Sequence, residues 1–516
     1  MTPEENRLTR LAQLLRYPDC DPNEIAPLLH AILSSFEEEI SEQISRSIME
    51  IVPLPLLFSK LYINDEITRL ICIVIEKLLQ PFSYIDIAEG DMKPFLEQGL
   101  QSELTPVRLL SIKQLTKCMI RGDLISKMAN SELFELVLDS LSADDIQVSS
   151  TATKFLTEIA SNALGLTALF RERNVDLLYS LLRRNDTVKL RIYELVVQLA
   201  STSPEALDLI KSSGLLDAMY EDYKTEDLLL KMNIIELYSQ LSSTSNGFCL
   251  LEQAGIIQEF VRILQDESNS FSVTLAKCAT LKFFGKLVDY KDLQFDNIVQ
   301  KYDLFSLLAQ AVNESNVELK TTAINVIGNI GNDPLGLVLL DNSSPDLLAL
   351  IANIYKTSIG DVRLACLQSL SSCLHASENP SMQLSEIAGK LYRSFSTVAT
   401  NSNQTKALLS ELIVYAKQSL EELKVSAFSV MQGMAFHPNL TQEMGQSKSF
   451  VEFILDRRTE STHIGKTWKF AIAQTLITVP DAATLLGTHT FNRLQQFVRQ
   501  GPFYMPTENA IAFESV

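Results

Sequence analysis

The sequence is poor in the residues from which metal and catalytic sites are usually built. Its 516 residues include only five histidines, which lie far apart and form no HExxH pattern. Its seven cysteines form no CxxC pair, and no GxSxG segment occurs. A zinc site needs closely spaced Cys and His ligands, and a serine nucleophile of this type needs the tight turn of GxSxG. We therefore expect no catalytic or metal-binding residues and no cofactor.

Long hydrophobic runs are also missing. The apolar runs Leu70–Ile75 and Leu335–Leu340 are far shorter than the ~20 residues that a membrane-spanning helix requires. The first residues, MTPEENRLTR, contain no apolar signal-peptide region. We therefore expect an intracellular protein, cytoplasmic with the nucleus as a second compartment, whose cysteines are reduced and lie in the core.

Positive charge is scarce and dispersed. The chain has 44 Lys and Arg against 63 Asp and Glu, a formal net charge of −19, and its only basic clusters are the pairs Arg183-Arg184 and Arg457-Arg458. Nucleic acid and anionic membranes would be repelled at long range, so a basic protein surface is the more natural partner. The alternative is that the acidity only keeps a large protein soluble.

One pattern recurs along the chain, a polar turn followed by Val or Leu and then by apolar helical segments. At 516 residues the chain exceeds a single compact core, so it forms either several domains or one repeat array. The pattern favours the array, because its anchor residues recur every 40 to 45 residues. The anchors are Val107, Val148, Val188, Leu229, Val273, Val317 and Val362.

This period is typical of armadillo and HEAT repeats. WD40 propellers have repeats of similar length, but they need strands and regular turn glycines, and this whole chain has 18 glycines. The segments here have the period of helices. We therefore predict an all-α fold, an armadillo/HEAT-like helical-repeat solenoid, or superhelix, with repeats of about 40–45 residues.

The predicted organisation has five segments. The interval from Val362 to the next anchor, Leu423, is 61 residues, which predicts an insertion with a mobile loop near 394–405. Terminal repeats of a solenoid are usually atypical, so the poorly phased start of the chain is expected to be divergent. The segments are 1–100 (divergent amino-terminal helical repeats), 101–380 (regular repeats), 381–420 (helical insertion), 421–500 (carboxy-terminal repeats) and 501–516 (tail).

The segment VKLRIYELVVQLA, residues 188–200, predicts a helix that is covered on most sides. Its apolar residues spread over roughly 220° of the helix surface, whereas a surface helix needs a stripe only a little over ~100° wide. We expect its own repeat and the flanking repeats to cover it. Only Arg191, Glu194 and Gln198 would then face water.

Two further local patterns bear on the fold. Ser203-Pro204 and Ser344-Pro345 each predict a helix start with a serine cap and a proline in the first turn. The glycine-rich segment VIGNIGNDPLG resembles a phosphate-binding loop in composition, but Leu337 follows Gly336 where such a loop requires Lys. We interpret its glycines as positions where neighbouring helices approach closely.

The last helix of each repeat is expected to line the inner, concave face of the solenoid. A column of acids with some tyrosines on that face would suit a basic, folded partner, although a charge on a helix can equally be its solvated side. The single tryptophan, Trp468, argues against armadillo proteins that grip extended basic peptides with a ladder of tryptophans and asparagines. The candidate protein-binding residues are Glu135, Asp139, Asp176, Tyr179, Asp217, Tyr220, Glu221, Glu259 and Asp266.

Several blocks of the sequence resemble a known family. They are VRLLSIKQL (107–115), VKLRIYELVVQLASTSPEAL (188–207), LKFFGKL (281–287), FVEFILDRR (450–458) and GPFYMP (501–506). In combination and order they are similar to the 26S proteasome non-ATPase regulatory subunit 5 family. The resemblance covers about the whole chain and is weakest before residue 100.

The resemblance implies a non-enzymatic chaperone for assembly of the proteasome regulatory particle base. Such a protein holds the carboxy-terminal small domain of a proteasomal ATPase subunit, takes part in base assembly intermediates, and leaves before the mature 26S particle forms. It implies no cofactor. The family has no short binding motif, so the candidate residues are inferred only from their positions on the predicted helices.

Two rival functions stay open at this stage. The same fold serves scaffold or transport adaptors that bind extended peptides along the groove. An enzyme could also be hidden in residues 1–100 or in the insertion near 394–405. A structure in which helices stack without a pocket that gathers polar groups would argue against the enzyme.

Overall fold

The computed structural model describes residues 3–17, 21–36, 40–61, 65–268, 270–398, 405–406, 408–460 and 462–504. These residues form 34 α-helices, four short 3-10 helices and one pair of two-residue strands. The chain divides into two compact units, Met1–Leu241 and Ser242–Val516. The five predicted segments do not coincide with this division, and their boundaries stay a prediction.

The first unit contains seventeen of the described α-helices and two 3-10 helices, Thr116–Ile120 and Ser140–Ser142. The α-helices are α1 (Pro3–Leu15), α2 (Pro22–Ser35), α3 (Glu42–Ile51), α4 (Leu54–Phe58), α5 (Asp65–Leu79), α6 (Tyr84–Ala88), α7 (Lys93–Gln101), α8 (Thr105–Leu115), α9 (Gly122–Ala129), α10 (Glu132–Asp139), α11 (Ile146–Ala160), α12 (Ala163–Leu169), α13 (Glu172–Leu182), α14 (Asp186–Ala200), α15 (Pro204–Ser213), α16 (Leu215–Tyr223) and α17 (Leu228–Leu241).

The second unit contains the other seventeen and the 3-10 helices Leu287–Asp289 and Arg457–Thr459. The α-helices are α18 (Ser245–Gln253), α19 (Ile256–Gln265), α20 (Phe271–Lys286), α21 (Phe295–Tyr302), α22 (Leu304–Asn313), α23 (Val317–Gly331), α24 (Pro334–Asp341), α25 (Leu347–Thr357), α26 (Gly360–Leu374), α27 (Met382–Phe395), α28 (Leu408–Ala416), α29 (Glu421–Ala435), α30 (Pro438–Gln446), α31 (Lys448–Leu455), α32 (His463–Thr478), α33 (Ala482–Leu486) and α34 (Thr488–Gln500).

Most of the helices follow one another as repeats of three. The first helices of successive repeats pack side by side, as α5, α8, α11, α14 and α17 in the first unit and as α20, α23, α26, α29 and α32 in the second. Third helices also pack on one another, for example α10 on α13 and α19 on α22. The fold class, an all-α armadillo/HEAT-like solenoid of helical repeats, is confirmed.

The residues predicted as an insertion, 381–420, contribute α27 and α28. Between these helices, strand β1 (Thr397–Val398) pairs antiparallel with strand β2 (Thr405–Lys406). Residues 399–404 of the loop predicted near 394–405 lie outside the described residues, as does the tail from residue 505 onward.

Helix starts follow ordinary capping chemistry. The Asn185 side chain accepts a hydrogen bond from the Val188 amide at the start of α14, and the Ser203 hydroxyl accepts one from the Ala206 amide at the start of α15. The prediction for Ser344-Pro345 was wrong. There the helix begins later, at α25, because the Asp346 carboxylate accepts a hydrogen bond from the Ala349 amide.

Helix α14 is covered as predicted, with one correction. Its apolar residues from Val188 to Ala200 are mostly buried, and Glu194 and Gln198 are exposed. Arg191 does not face water freely. It is half-buried, and its guanidinium donates to the carbonyl oxygens of Leu141 and Ala143, at 3.1 and 2.6 Å. Arg191 thus links its own repeat to the carbonyl groups at the end of the preceding repeat.

The glycines of VIGNIGNDPLG lie at close helix contacts, as interpreted from the sequence. A Cβ atom on Gly328 of α23 would lie 2.7 Å from the Cα atom of Ser369 in α26. One on Gly331 would lie 2.3 Å from the Cys373 sulfur. Hydrogen in place of a side chain therefore lets these two first helices touch through their backbones.

Candidate protein-binding surface

Eight of the nine candidate residues lie on four third helices, and the ninth directly follows one of them. In the first unit, α10 carries Glu135 and Asp139, α13 carries Asp176 and Tyr179, and α16 carries Asp217, Tyr220 and Glu221. In the second unit, Glu259 lies on α19 and Asp266 directly follows that helix. We call the seven candidate residues of the first unit the first group and the two of the second unit the second group.

The acids of α10 are paired within the protein. The Glu135 carboxylate lies 2.7 Å from the Arg173 guanidinium, and the Asp139 carboxylate lies 2.8 Å from that of Arg184. Both arginines belong to the next repeat, at the two ends of α13. The sequence analysis missed these partners, and they reduce the negative charge that α10 offers to another protein.

Tyr179 connects α13 to the turn before α16. Its hydroxyl donates to the Ser213 carbonyl at 3.2 Å. Burial and the negative charge of Asp217 raise the pKa of this hydroxyl. Gly214 in the same turn has a φ of 74°, and a Cβ atom there would lie only 2.8 Å from the Tyr179 oxygen. Asp176, one turn earlier on α13, is exposed.

Helix α16 presents two exposed acids of the first group. Asp217 and Glu221 are exposed, and Glu221 lies 2.6 Å from Lys224 on the same surface. Tyr220 is half-buried, with its ring centroid 5.9 Å from that of Tyr238. Burial, helped by the charge of Asp217, raises the pKa of Tyr220 to about 12, so the hydroxyl stays neutral at physiological pH.

Asp222, beside Glu221, is a residue that the sequence analysis missed. Its carboxylate accepts a hydrogen bond from the Tyr193 hydroxyl at 2.5 Å and lies 3.2 Å from the Lys189 ammonium. Burial, together with this carboxylate, raises the pKa of Tyr193. Tyr179, Lys189, Glu221 and Asp222 line one open cleft of about 490 Å³.

The Lys189–Asp222 contact belongs to a recurring clamp. A cation near the start of a first helix reaches an acid at or after the third helix of the same repeat. The sequence contains a signal for these ion pairs, because in each case the cation follows the anchor residue of its repeat within four positions. The other pairs are Lys277–Glu314, Arg363–Glu411 and Lys424–Glu460.

One residue of the second group, Asp266, lines a larger cleft. Glu259 pairs with Arg262 on its own helix at 3.0 Å. Asp266 is exposed, and hydrogen bonds from the backbone amide and hydroxyl of Ser268 lower the pKa of its carboxyl. Asp266 lines an open cleft of about 880 Å³ together with Glu267, Glu314 and the buried Lys277.

Two properties of the described residues bear on other functions. No group of three or more His, Cys, Asp or Glu residues within them could hold a metal ion. Within the same residues no single helix is long and apolar enough to cross a membrane. Taken together, α23 and α24 have the length and apolar composition of a membrane span, but the chain bends by 116° between them.

Comparison with known proteins assigns the chain to a family. A family model described as "Proteasome non-ATPase 26S subunit" matches residues 9–516. The chain belongs to this family. Its curated relatives include the 26S proteasome non-ATPase regulatory subunit 5 of Homo sapiens, 26% identical over 501 residues and covering 96% of each chain. The subunit 5 of Drosophila melanogaster is 24% identical over 463 residues, 87% of this chain and 85% of the relative.

Solved structures similar to this family member are helical-repeat proteins. A structure of the Kap95:Nup1 complex matches with a TM-score of 0.60 at 12% identity, covering 96% of this chain and 66% of that one. A structure of Kap95p with RanGDP matches with a TM-score of 0.57 at 10% identity, covering 95% and 66%. At these identities the likeness supports the solenoid fold and carries no information about partners.

Proposed function

We propose that this chain is a non-enzymatic chaperone for assembly of the proteasome regulatory particle base. It would bind the carboxy-terminal small domain of an ATPase subunit and leave before the mature 26S particle forms. The observation that carries the proposal is the family match over residues 9–516, together with near full-length similarity to proteasome regulatory subunit 5.

The exposed acids of α16 support a basic and folded partner. Asp217 and Glu221 point to solvent from neighbouring turns, and the cleft beside them is lined by tyrosine as well as by acids. Tyrosine contributes large contact area with a polar end, which suits protein interfaces. Complementary charge would raise the association rate more than the final affinity.

Release follows from competition in this proposal. A subunit that joins the ATPase later needs only to clash with, or to compete for, the surface that the chaperone holds. No catalytic step is required. The proposed partners are proteasomal ATPase subunits and base assembly intermediates, the proposed compartment is the cytoplasm with the nucleus as a second one, and neither nucleic acid nor membrane is involved.

Reversing the charge of Asp217 and Glu221 tests the proposed surface. The variant Asp217→Lys/Glu221→Lys should weaken binding of the cognate ATPase subunit about tenfold, because two exposed attractive charges become repulsive. The loss should be larger at low salt, where screening is weaker. The measurement is a titration of the full-length chain with each purified full-length ATPase subunit at two salt concentrations.

The matched control is Glu205→Lys/Asp208→Lys. These two acids are exposed on α15 of the same repeat, so the net charge changes equally while α16 is left intact. The control should bind as the natural chain does, and both variants should melt at the same temperature as that chain. Equal binding by Asp217→Lys/Glu221→Lys across the salt series would exclude α16 as the contact surface.

Affinity purification followed by mass spectrometry separates this proposal from its rivals. The chaperone should recover free ATPase subunits and base intermediates. Recovery of extended cargo peptides, or of mature proteasomes without intermediates, would instead favour a scaffold or transport adaptor and would overturn the proposal.

A further inference from the structure

Each first helix of the second unit carries a large, exposed apolar side chain at or next to its first residue. We call these five residues the edge row. Phe271 and Val317 are the first residues of their helices, Ile359 and Leu420 immediately precede theirs, and Ile464 is the second residue of its helix. Ser, Thr, Asp and Asn are preferred at the cap position, so Ile359 and Leu420 are unexpected there. The edge row consists of Phe271, Val317, Ile359, Leu420 and Ile464, which are 73%, 53%, 85%, 58% and 45% exposed.

The edge row lies along one side of the unit, because its helices pack side by side in the same direction. Gly328 of α23 contacts Ser369 of α26 about ten residues after Val317 and Ile359 respectively. Farther along, Gly433 of α29 contacts Leu374 of α26. The helices α23, α26 and α29 therefore start at the same edge of the stack, and the contact of Gly285 in α20 with Val326 in α23 places the start of α20 there too.

Ordinary structural roles do not account for these side chains. A hydrophobic staple packs a residue just before the helix against one in its first turns, which would bury it. The edge-row side chains are about half exposed or more. Ile359 and Leu420 also occupy the cap positions of α26 and α29, where neither side chain can accept a hydrogen bond from the helix amides. Capping chemistry is therefore given up at these two helices, whereas the side chains of Ser270, Asn316 and Thr462 cap α20, α23 and α32.

The exposed charge around most of the edge row is negative. Arg262, Lys356 and Lys417 are the exposed cations on the helices and turns that lead into Phe271, Ile359 and Leu420. Exposed acids outnumber them beside the first four edge-row residues. The acids are Asp266, Glu267, Glu318, Asp361, Glu421 and Glu422.

The spacing of the helices restricts the shape of a partner. Packed helices lie about 8–10 Å apart, so successive edge-row residues are separated by about that distance. Side chains on one face of an extended strand recur every ~6.7 Å, which does not match. On an α-helix, residues seven positions apart are ~10.5 Å apart on nearly the same face, which does match.

We propose that the edge row is a docking surface for a basic amphipathic α-helix of a partner protein. Its apolar side chains, about one per seven residues, would contact Phe271, Val317, Ile359 and Leu420, and its Lys and Arg residues would meet the flanking acids. This surface lies at the helix starts of the second unit and shares no residue with the α16 acids of the first unit. The two proposals can fail independently.

A designed peptide tests this surface with the full-length chain. The probe is a labelled helical peptide of about 28 residues, which is four heptads, with Leu at every seventh position and Lys around each Leu. Its binding is followed by fluorescence anisotropy. A scrambled peptide keeps the composition and charge but loses the spacing, and a peptide with Glu in place of Lys reverses the charge. The first peptide should bind at least tenfold more tightly than either of the others.

The variant Phe271→Ser/Ile359→Ser/Leu420→Ser should weaken binding of the first peptide at least tenfold. Serine is a favourable residue at helix starts, so this variant is expected to fold as well as the natural chain. The matched control is Leu335→Ser/Met382→Ser, which removes two exposed apolar residues from the starts of second helices in the same unit. The control should change binding less than twofold.

Four results would overturn the proposal. They are equal binding of the scrambled peptide, equal binding by the edge-row variant, association of the chain with neutral phosphatidylcholine vesicles that depends on the edge row, and self-association that the edge-row variant abolishes. The last two would assign the edge row to a membrane or to a second copy of the chain. Vesicle flotation and light scattering measure them.

Discussion

The variant Glu460→Ala is expected to lower the free energy of unfolding of the second unit by about 3 kcal/mol, at the lower end of the range for breaking a buried ion pair. Glu460 is 4% exposed and lies between α31 and α32. Its carboxylate accepts hydrogen bonds from the Thr462 amide and hydroxyl at 2.9 and 2.7 Å, and lies 3.2 Å from the Lys424 ammonium. Removing it leaves Lys424 largely buried without this partner.

Urea unfolding followed by circular dichroism measures this effect. The control is Glu452→Ala on the neighbouring α31, because Glu452 is an exposed acid and its removal should change stability by less than about 0.5 kcal/mol. A Glu460→Ala chain that unfolds at the same urea concentration as the control would show that the buried pair does not stabilise the repeat.

The same carboxylate predicts a dependence of stability on pH. Burial raises the pKa of Glu460, but the Thr462 hydrogen bonds and the Lys424 ammonium outweigh it and hold the pKa below its usual 4.5. The contribution of Glu460 is therefore fully present above the unfolded value and is lost as pH falls through the folded value. Acid should destabilise the natural chain more than Glu460→Gln, and equal acid sensitivity would contradict this account.

The repeat fold could be predicted because its determinants lie close together in the sequence. Val188 and the other anchors recur at a nearly constant interval, and the apolar residues of α14 extend around most of the helix. The environment of Arg191 could not be predicted in this way. Its acceptors are carbonyl groups at the end of the preceding repeat, and only the packing of the two repeats brings them within reach.

The contacts of the candidate residues could not be predicted from the sequence for the same reason. Helical period placed Glu135 and Glu221 on third helices, but it does not reveal which acids are paired. Arg173, which pairs with Glu135, lies 38 residues later in the chain. Asp222 is adjacent to Glu221 in sequence, yet a rotation of about 100° turns it toward Tyr193 instead of solvent. The contact residues themselves stay a prediction until the charge-reversal variants are measured.

Gly336→Ala is expected to destabilise the chain by about 3 kcal/mol, at the upper end of the usual cost of overpacking. Gly336 is the third residue of α24, which packs back on α23. A Cβ atom there would lie 2.0 Å from the Ile330 carbonyl oxygen, and a backbone atom cannot move aside as a flexible side chain can. The higher helix propensity of alanine, worth about 1 kcal/mol, does not offset this clash.

The first unit contains the same close contact between a helical glycine and a backbone carbonyl oxygen. The packing explanation can therefore be tested in both units. Gly165 is the third residue of α12, and a Cβ atom there would lie 2.0 Å from the Ile159 carbonyl oxygen. Gly122→Ala is the control, because the nearest atom to its added carbon would be 3.9 Å away. Hydrogen exchange should show Gly165→Ala loosening the first unit and Gly336→Ala loosening the second, with Gly122→Ala unchanged. If all three variants behaved alike, helix propensity rather than close packing between helices would explain these glycines.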